Sequence, residues 1–167
     1  MILFTPEECE YIKSFYFKDE EIDSKLAEGF SKGTIKFSNN SCKHVTSTDA
    51  ELLLFLVERT SGIGVKSLEA VKFVRYTEGD YMGRHKDHSK YGADLLFKTF
   101  MIQLSDPYSY EGGNLIVENT VIDRTQGSVC TISSTDFHEV SKVTSGERFS
   151  LVLFLTENNL QLEKNLI

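Results

Sequence analysis

His85 and Asp87 stand two residues apart, and in an extended segment side chains at that spacing point to the same side, where an imidazole and a carboxylate can share one metal ion. A second imidazole would complete a two-histidine, one-carboxylate set, which leaves three positions of an octahedral iron open for ligands and O2. Of the 4 His in the chain, His138, which follows Ser133-Ser134-Thr135-Asp136-Phe137, is the candidate for that third ligand. Taken singly, the His-x-Asp triplet reads more readily as part of a solvated loop, and His138 as a polar residue at a strand end.

Arg148 alters that balance. It opens a segment in which Phe149, Leu151, Leu153 and Leu155 form one apolar face, while Arg148, Ser150, Val152 and Phe154 form the other. Both faces read as buried, yet one begins with a cation and a hydroxyl. A strand covered outside by N-terminal helices and lining a partly polar cavity inside accounts for the mixture. An unpaired guanidinium is costly to bury, so Arg148 requires an anion. A dicarboxylate ligand supplies one through paired charge-assisted hydrogen bonds, and an ordinary salt bridge to Glu147 or Glu139 is the alternative.

The elements that must hold these residues fall into two parts. Thr5-Pro6-Glu7-Glu8 combines an N-cap hydroxyl, Pro at the first helical position and an acid three residues after the cap, which predicts a helix to about Phe15. Thr48-Asp49-Ala50-Glu51 repeats the capping pattern ahead of Leu52, Leu53, Phe55, Leu56 and Val57, with Gly62 at the left-handed stop. Residues 18–47 read as polar loop with one candidate strand around Thr34–Phe37. After Ser67, short β-branched and aromatic runs separated by turn residues predict strands at Leu68–Thr77, Tyr81–His85, Phe97–Leu104, Asn114–Glu118, Ser128–Ser133, His138–Val143 and Arg148–Thr156. Their turns include Glu78-Gly79-Asp80, Glu111-Gly112-Gly113 and Ser145-Gly146. No repeat or linker interrupts the series, so residues 1–167 are expected to form one domain.

Composition narrows the classes. With 40% hydrophobic and 26% charged residues, 2 Pro and 11 Gly, the chain has a globular make-up and not a disordered or collagen-like one. A formal charge of −7 repels nucleic acid, so no nucleic-acid partner is expected. Cys9, Cys42 and Cys130 are odd in number, widely spaced and without a C-x-x-C pair, which indicates neither a disulfide framework nor a zinc ribbon. The start, Met1 to Glu8, turns acidic before any long apolar run, and the run Leu52–Val57 is too short to cross a bilayer. A cytoplasmic protein without a membrane partner is therefore expected.

From about Phe73 to Leu155 the order of features resembles the prolyl 4-hydroxylase-like branch of the iron(II)/2-oxoglutarate-dependent dioxygenases. The matching features are Tyr-x-x-Gly-Asp at 76–80, His-x-Asp at 85–87, Gln103-Leu104-Ser105, Gly112-Gly113-x-Leu115, Gly127 before Ser128-Val129, His138, and Gly146-x-Arg148-x-Ser150-Leu151. The resemblance implies a mainly β fold with N-terminal helices, a double-stranded β-helix or cupin-like jelly roll. It gives helical support over about 1–66 and a catalytic jelly roll over about 67–156. It also implies that His85, Asp87 and His138 hold Fe(II), that Arg148 pairs with the distal carboxylate of 2-oxoglutarate, and that Tyr76, Ser150, Gln103 and Leu115 contribute to the cosubstrate site. O2 is consumed and succinate and CO2 leave; ascorbate is an accessory cofactor that the resemblance admits.

Departures from the family pattern refine the expectation. Collagen-type members usually carry Lys where Arg148 stands, many relatives have Tyr where Gln103 stands, and several have Trp where Phe154 stands. Related halogenases have a small residue in place of Asp87, so hydroxylation is implied. Related nucleic-acid demethylases carry a second Arg at the position of Phe154, which disfavours nucleic-acid repair. The resemblance points to a prolyl residue of a peptide as substrate, with a free amino acid or other small metabolite as the alternative. A non-catalytic metal-binding sensor or interaction module and a zinc hydrolase are further alternatives, the last without an obvious general base. Arg84, Lys86, His88, Lys90 and Lys98 crowd the metal loop and the segment 88–96, which reads as a lid; this rim is either an attractor for an acidic peptide or carboxylated metabolite or a solvated charged loop.

Overall fold

Thr5 and Glu8 cap each other. The Thr5 hydroxyl accepts from the Glu8 backbone N–H at 3.1 Å, while the Thr5 N–H donates to the Glu8 carboxylate at 3.2 Å. The helix so started, α1, spans Pro6–Gly29. It runs well past the expected end near Phe15 because helix formers continue unbroken by Gly or Pro up to Gly29, and ion pairs of Lys18 with Asp49 and of Glu20 with Lys43 tie it to the segment 43–49. Strand β1, Lys43–Ser47, lies where the sequence alone reads as loop. Helix α2, Ala50–Thr60, is capped by Asp49, one residue later than Thr48, with its carboxylate accepting from the N–H groups of Glu51 and Leu52. A 3-10 turn, Ser61–Ile63, prolongs α2, so the left-handed residue is Gly64 (φ 98°) and not Gly62. The computed structural model describes residues 1–29, 41–87 and 98–161, with backbone alone for 21–29. The candidate strand at Thr34–Phe37 and the lid at 88–96 lie outside the described residues.

Ten further strands complete the chain: β2 (Val71–Tyr76), β3 (Met82–His85), β4 (Lys98–Gln103), β5 (Tyr110–Gly112), β6 (Leu115–Val117), β7 (Thr120–Val121), β8 (Val129–Ser133), β9 (His138–Val140), β10 (Val143–Gly146) and β11 (Arg148–Leu155), counted among the described residues. The strand expected at His138–Val143 is thus divided: β9 and β10 join different sheets. Five strands form one sheet in the order β1-β2-β11-β4-β8, four form a second in the order β3-β9-β6-β7, and β10 pairs with β5.

Alternation on β11 decides how the layers stack. Phe149, Leu151, Leu153 and Leu155, with Phe73, Phe100 and Ile102, pack outward on Cys9, Ile12, Phe15 and Tyr16 of α1 and Leu52 and Leu56 of α2. The inward residues Val74, Tyr76, Met101 and Val152 instead meet Met82, Leu115 and Val140 of the four-stranded sheet. Two facing antiparallel sheets with helices against one of them make a double-stranded β-helix. Among the described residues no helix is long and apolar enough to cross a membrane.

The N-terminal residues are sewn to the start of β8 through Gly127. Its carbonyl accepts from the N–H groups of Leu3 and Phe4, and its own N–H donates to Gln103 O at 2.7 Å. Its φ is +84°, and a Cβ there would lie 1.9 Å from Phe4 O. Gly127→Ala should therefore destabilise the fold by about 2 kcal/mol or more; urea denaturation followed by circular dichroism measures this.

Candidate metal centre

His85 ends β3, and His138 begins the neighbouring strand β9, where the two are direct register partners. Their rings lie 4.3 Å apart between centroids. Both Nε2 atoms converge on one oxygen of Asp87: His138 at 3.2 Å and His85 at 3.5 Å from Oδ1. One ligand atom from each of the three lies within 4.8 Å of the others, so the residues singled out from spacing do meet. Asp87 Oδ2 is already engaged, accepting from the Thr99 hydroxyl at 2.8 Å, which leaves Oδ1 for an ion. Each imidazole is turned by its other nitrogen: His85 Nδ1 donates to Gly83 O at 2.7 Å and His138 Nδ1 to Asp136 O at 3.3 Å. A carbonyl only accepts, so each Nδ1 carries a proton and each Nε2 is the nitrogen that faces the centre, where it donates to Asp87 or, once deprotonated, binds an ion.

Electrostatics reinforce this geometry. Burial alone would push the Asp87 carboxyl up, but hydrogen bonds from His138 and His85 hold it well below the usual carboxylate range. The Asp87 hydrogen bond raises His85, against the opposing effect of burial. A negative oxygen facing two imidazole nitrogens is a donor set that suits a divalent first-row metal.

Arg148 opens β11 with its side chain 2% exposed. Neither Glu147 nor Glu139 reaches it; Glu147 pairs instead with Arg75 at 2.6 Å. Among the described residues Arg148 Nε and Nη1 have no hydrogen-bond partner. The guanidinium lies over the ring of Tyr76, its register partner on β2, at 5.1 Å from the centroid. It borders a small recess, part of it open to solvent, whose walls include Gln103, Leu115, Met101, Arg124 and Cys130. A buried guanidinium with free donors beside such a recess fits a small diacid.

Arg148, Gln103 and Leu115 thus border the recess, while Tyr76 and Ser150, on the same inward face of the sheet, are not among its walls. The Tyr76 hydroxyl donates weakly to Met82 Sδ at 3.9 Å, and Ser150 is fully buried with its hydroxyl unpartnered among the described residues. Gln103 is less isolated than its sequence position implies, because its amide nitrogen donates to the Tyr110 hydroxyl at 2.7 Å. Tyr110 comes from β5, a strand that sequence periodicity does not reveal. Its backbone is fixed by Arg124, which stacks on its ring at 4.0 Å and donates to the carbonyls of Pro107, Tyr110 and Gly112. Gly113 sits between these groups: a Cβ there would be 3.2 Å from both Arg148 Cδ and Tyr110 Cε2. Thr99 likewise escapes reasoning from motifs, although its i, i+4 spacing to Gln103 puts both on one face of β4.

The model of the 2OG-Fe(II) oxygenase superfamily matches residues 71–156, a span that includes every residue of the metal centre and of the recess. A PKHD-type hydroxylase of Picosynechococcus is 27% identical over 90% of this chain and 73% of its own length. Another, from Parvibaculum lavamentivorans, is 40% identical over 47% of this chain and 37% of its own. A Pseudomonas putida prolyl-4-hydroxylase has a similar fold, with a TM-score of 0.63 at 17% identity, covering 93% of this chain and 90% of that one. The viral collagen prolyl hydroxylase of Paramecium Bursaria Chlorella virus-1 gives 0.60 at 17% identity, covering 92% and 91%.

An ion taken up by these three side chains must displace the proton that Asp87 favours on His85. Affinity for Mn(II) should therefore rise with pH from mildly acid conditions until His85 is neutral, with proton release on binding, and then level off. Asp87 stays ionised throughout and adds no step in that window. Calorimetric titrations in buffers of different ionisation enthalpy measure both quantities; a flat profile would count against His85 as a ligand.

Proposed function

The chain belongs to the 2OG-Fe(II) oxygenase superfamily, and from that premise we propose that this iron(II)- and 2-oxoglutarate-dependent enzyme hydroxylates a prolyl residue of a peptide or protein. The observation that carries the cosubstrate assignment is the buried Arg148 guanidinium, with Nε and Nη1 unpartnered among the described residues, on the face that also bears Thr99 and its contact to Asp87. The hydroxylase names of the relatives support the reaction, and the prolyl hydroxylases among the similar structures support the substrate.

In this reading residues 1–167 work as one unit, the helices of about 1–66 bracing the jelly roll of about 67–156. His85, His138 and Asp87 would hold Fe(II), and their backbone and Thr99 contacts would keep the three donors from turning away. Arg148 would receive the distal carboxylate of 2-oxoglutarate, with the guanidinium resting over the Tyr76 ring and Ser150 next along the same face of β11. Gln103, braced by Tyr110, and Leu115 would line the path between carboxylate and ion. When bound, iron and 2-oxoglutarate would activate O2, which is the oxidant: one oxygen atom would leave in succinate as CO2 is released, and the other would turn a C–H bond of the substrate into C–OH. The chain's own share is orientation and a mostly apolar interior that keeps bulk water out.

Anaerobic loading with Fe(II) and 2-oxoglutarate, then O2 with a panel of proline-containing peptides, tests this by succinate release and gain of one oxygen atom in the peptide mass. His85→Ala and Asp87→Ala should abolish coupled turnover, and full activity in either would overturn the assignment. Arg148→Ala should weaken 2-oxoglutarate binding about a hundredfold while leaving Mn(II) affinity close to that of the unaltered protein.

A further inference from the structure

The inward face of the five-stranded sheet can be read as rows. Arg148 pairs with Tyr76, Ser150 with Val74 and Val152 with Lys72, and Phe154 pairs with Thr99 on the other side. Moving along β11 from Arg148, the rows lead away from the recess and reach Lys72 and Phe154 near Thr99, the residue hydrogen-bonded to Asp87. Phe154 is 41% exposed although it lies on the inward face, so the barrel is open at this end. The Lys72 ammonium rests over the Phe154 ring, 5.2 Å from its centroid.

Lys72 is half-buried, and among the described residues it forms no ion pair, in a chain with 25 Asp+Glu against 18 Lys+Arg. Burial lowers its pKa and Asp87 is the foremost charge that opposes this. Charges within the loaded site leave it unmatched. The two positive charges of Fe(II) and those of Arg148 and Arg124 are balanced by Asp87, Asp123 and the two carboxylates of 2-oxoglutarate; Lys72 remains. His44, beside it, adds no charge, because burial holds its pKa down to about 4. Farther out, Arg84 and Lys86 flank the exposed Phe137 ring at 4.7 and 4.4 Å and extend the positive field around the metal loop.

We propose that Lys72 is a substrate-binding residue, and that the substrate carries a carboxylate which Lys72 receives while the Phe154 ring packs against the adjoining apolar part. The proposal rests on the oxygenase reading above and names the class of substrate for that site. The carboxylate belongs either to a free amino acid or to an acidic residue beside the oxidised one in a peptide. Lys72 acts through a charge-assisted hydrogen bond, so an uncharged amide of the same shape is a poor replacement.

The test uses the full chain loaded with Fe(II) and 2-oxoglutarate without O2. Binding is measured by calorimetry for L-proline and the other free amino acids, each against its amide, and for proline peptides flanked by Glu, each against the Gln counterpart. An acid bound about tenfold or more tightly than its amide, with the preference lost in Lys72→Met and kept in Lys72→Arg, supports the proposal, and the arm in which it occurs identifies the source of the carboxylate. No acid preference in either arm, or a preference that survives Lys72→Met, overturns it. Succinate formed by the unaltered protein from 2-oxoglutarate and O2, alone or with any of these amino acids and peptides, reports on the oxygenase reading separately. Its absence sinks that reading, whereas its presence without acid preference sinks only the role of Lys72.

Discussion

Register on β11 is the constraint on which the remaining structure depends. The strand is bonded to β2 on one side and β4 on the other, and its side chains alternate between a helix-covered face and the barrel interior. A slip of one residue would send Leu151 and Leu153 into the barrel interior and Arg148 and Ser150 under the helices. Hydrophobic burial against α1 and α2, far from any chemistry, thereby fixes where the guanidinium points. The same argument extends sideways: once β4 is in register, Thr99, Met101 and Gln103 face inward together, one touching Asp87 and two bordering the recess.

The opposite sheet supplies the other half of the site by pairing. Direct opposition of His85 and His138 across β3 and β9 brings two imidazoles together without help from a loop. Asp87, just beyond the strand end, then satisfies both, and its deep burial is tolerated because three donors address it. The candidate metal centre and the buried guanidinium thus stand on two facing layers, with the apolar cluster of Met101, Leu115 and Val152 between them.

Much of this is legible in the sequence because the chemistry obeys short-range periodicities. The i, i+2 spacing of His85 and Asp87 and the alternation along residues 148–155 describe local geometry that tertiary structure preserves. Elements fixed by distant partners are less legible. β1 is a polar strand held by β2, β5 has three residues and exists through β10, and β7 has two residues and pairs with β6. The division of residues 138–146 between β9 and β10 likewise depends on which sheet is near. Helix ends shift for local reasons: Asp49 is a better cap than Thr48 because it brings charge as well as an acceptor. The bond from Gln103 to Tyr110 joins a strand end to β5, too short a strand to carry a periodic signal.

Gly113 illustrates how far the reach of a site can extend into residues without functional groups. It has nothing to offer a ligand, yet the hydrogen on its α-carbon occupies the one spot from which a methyl group would crowd Val143, the Arg148 stem and the Tyr110 ring at once. The setting of that guanidinium is thus partly stored in a position without a side chain, where a substitution that alters neither charge nor polarity would retune the angle of a group it never touches through any polar atom.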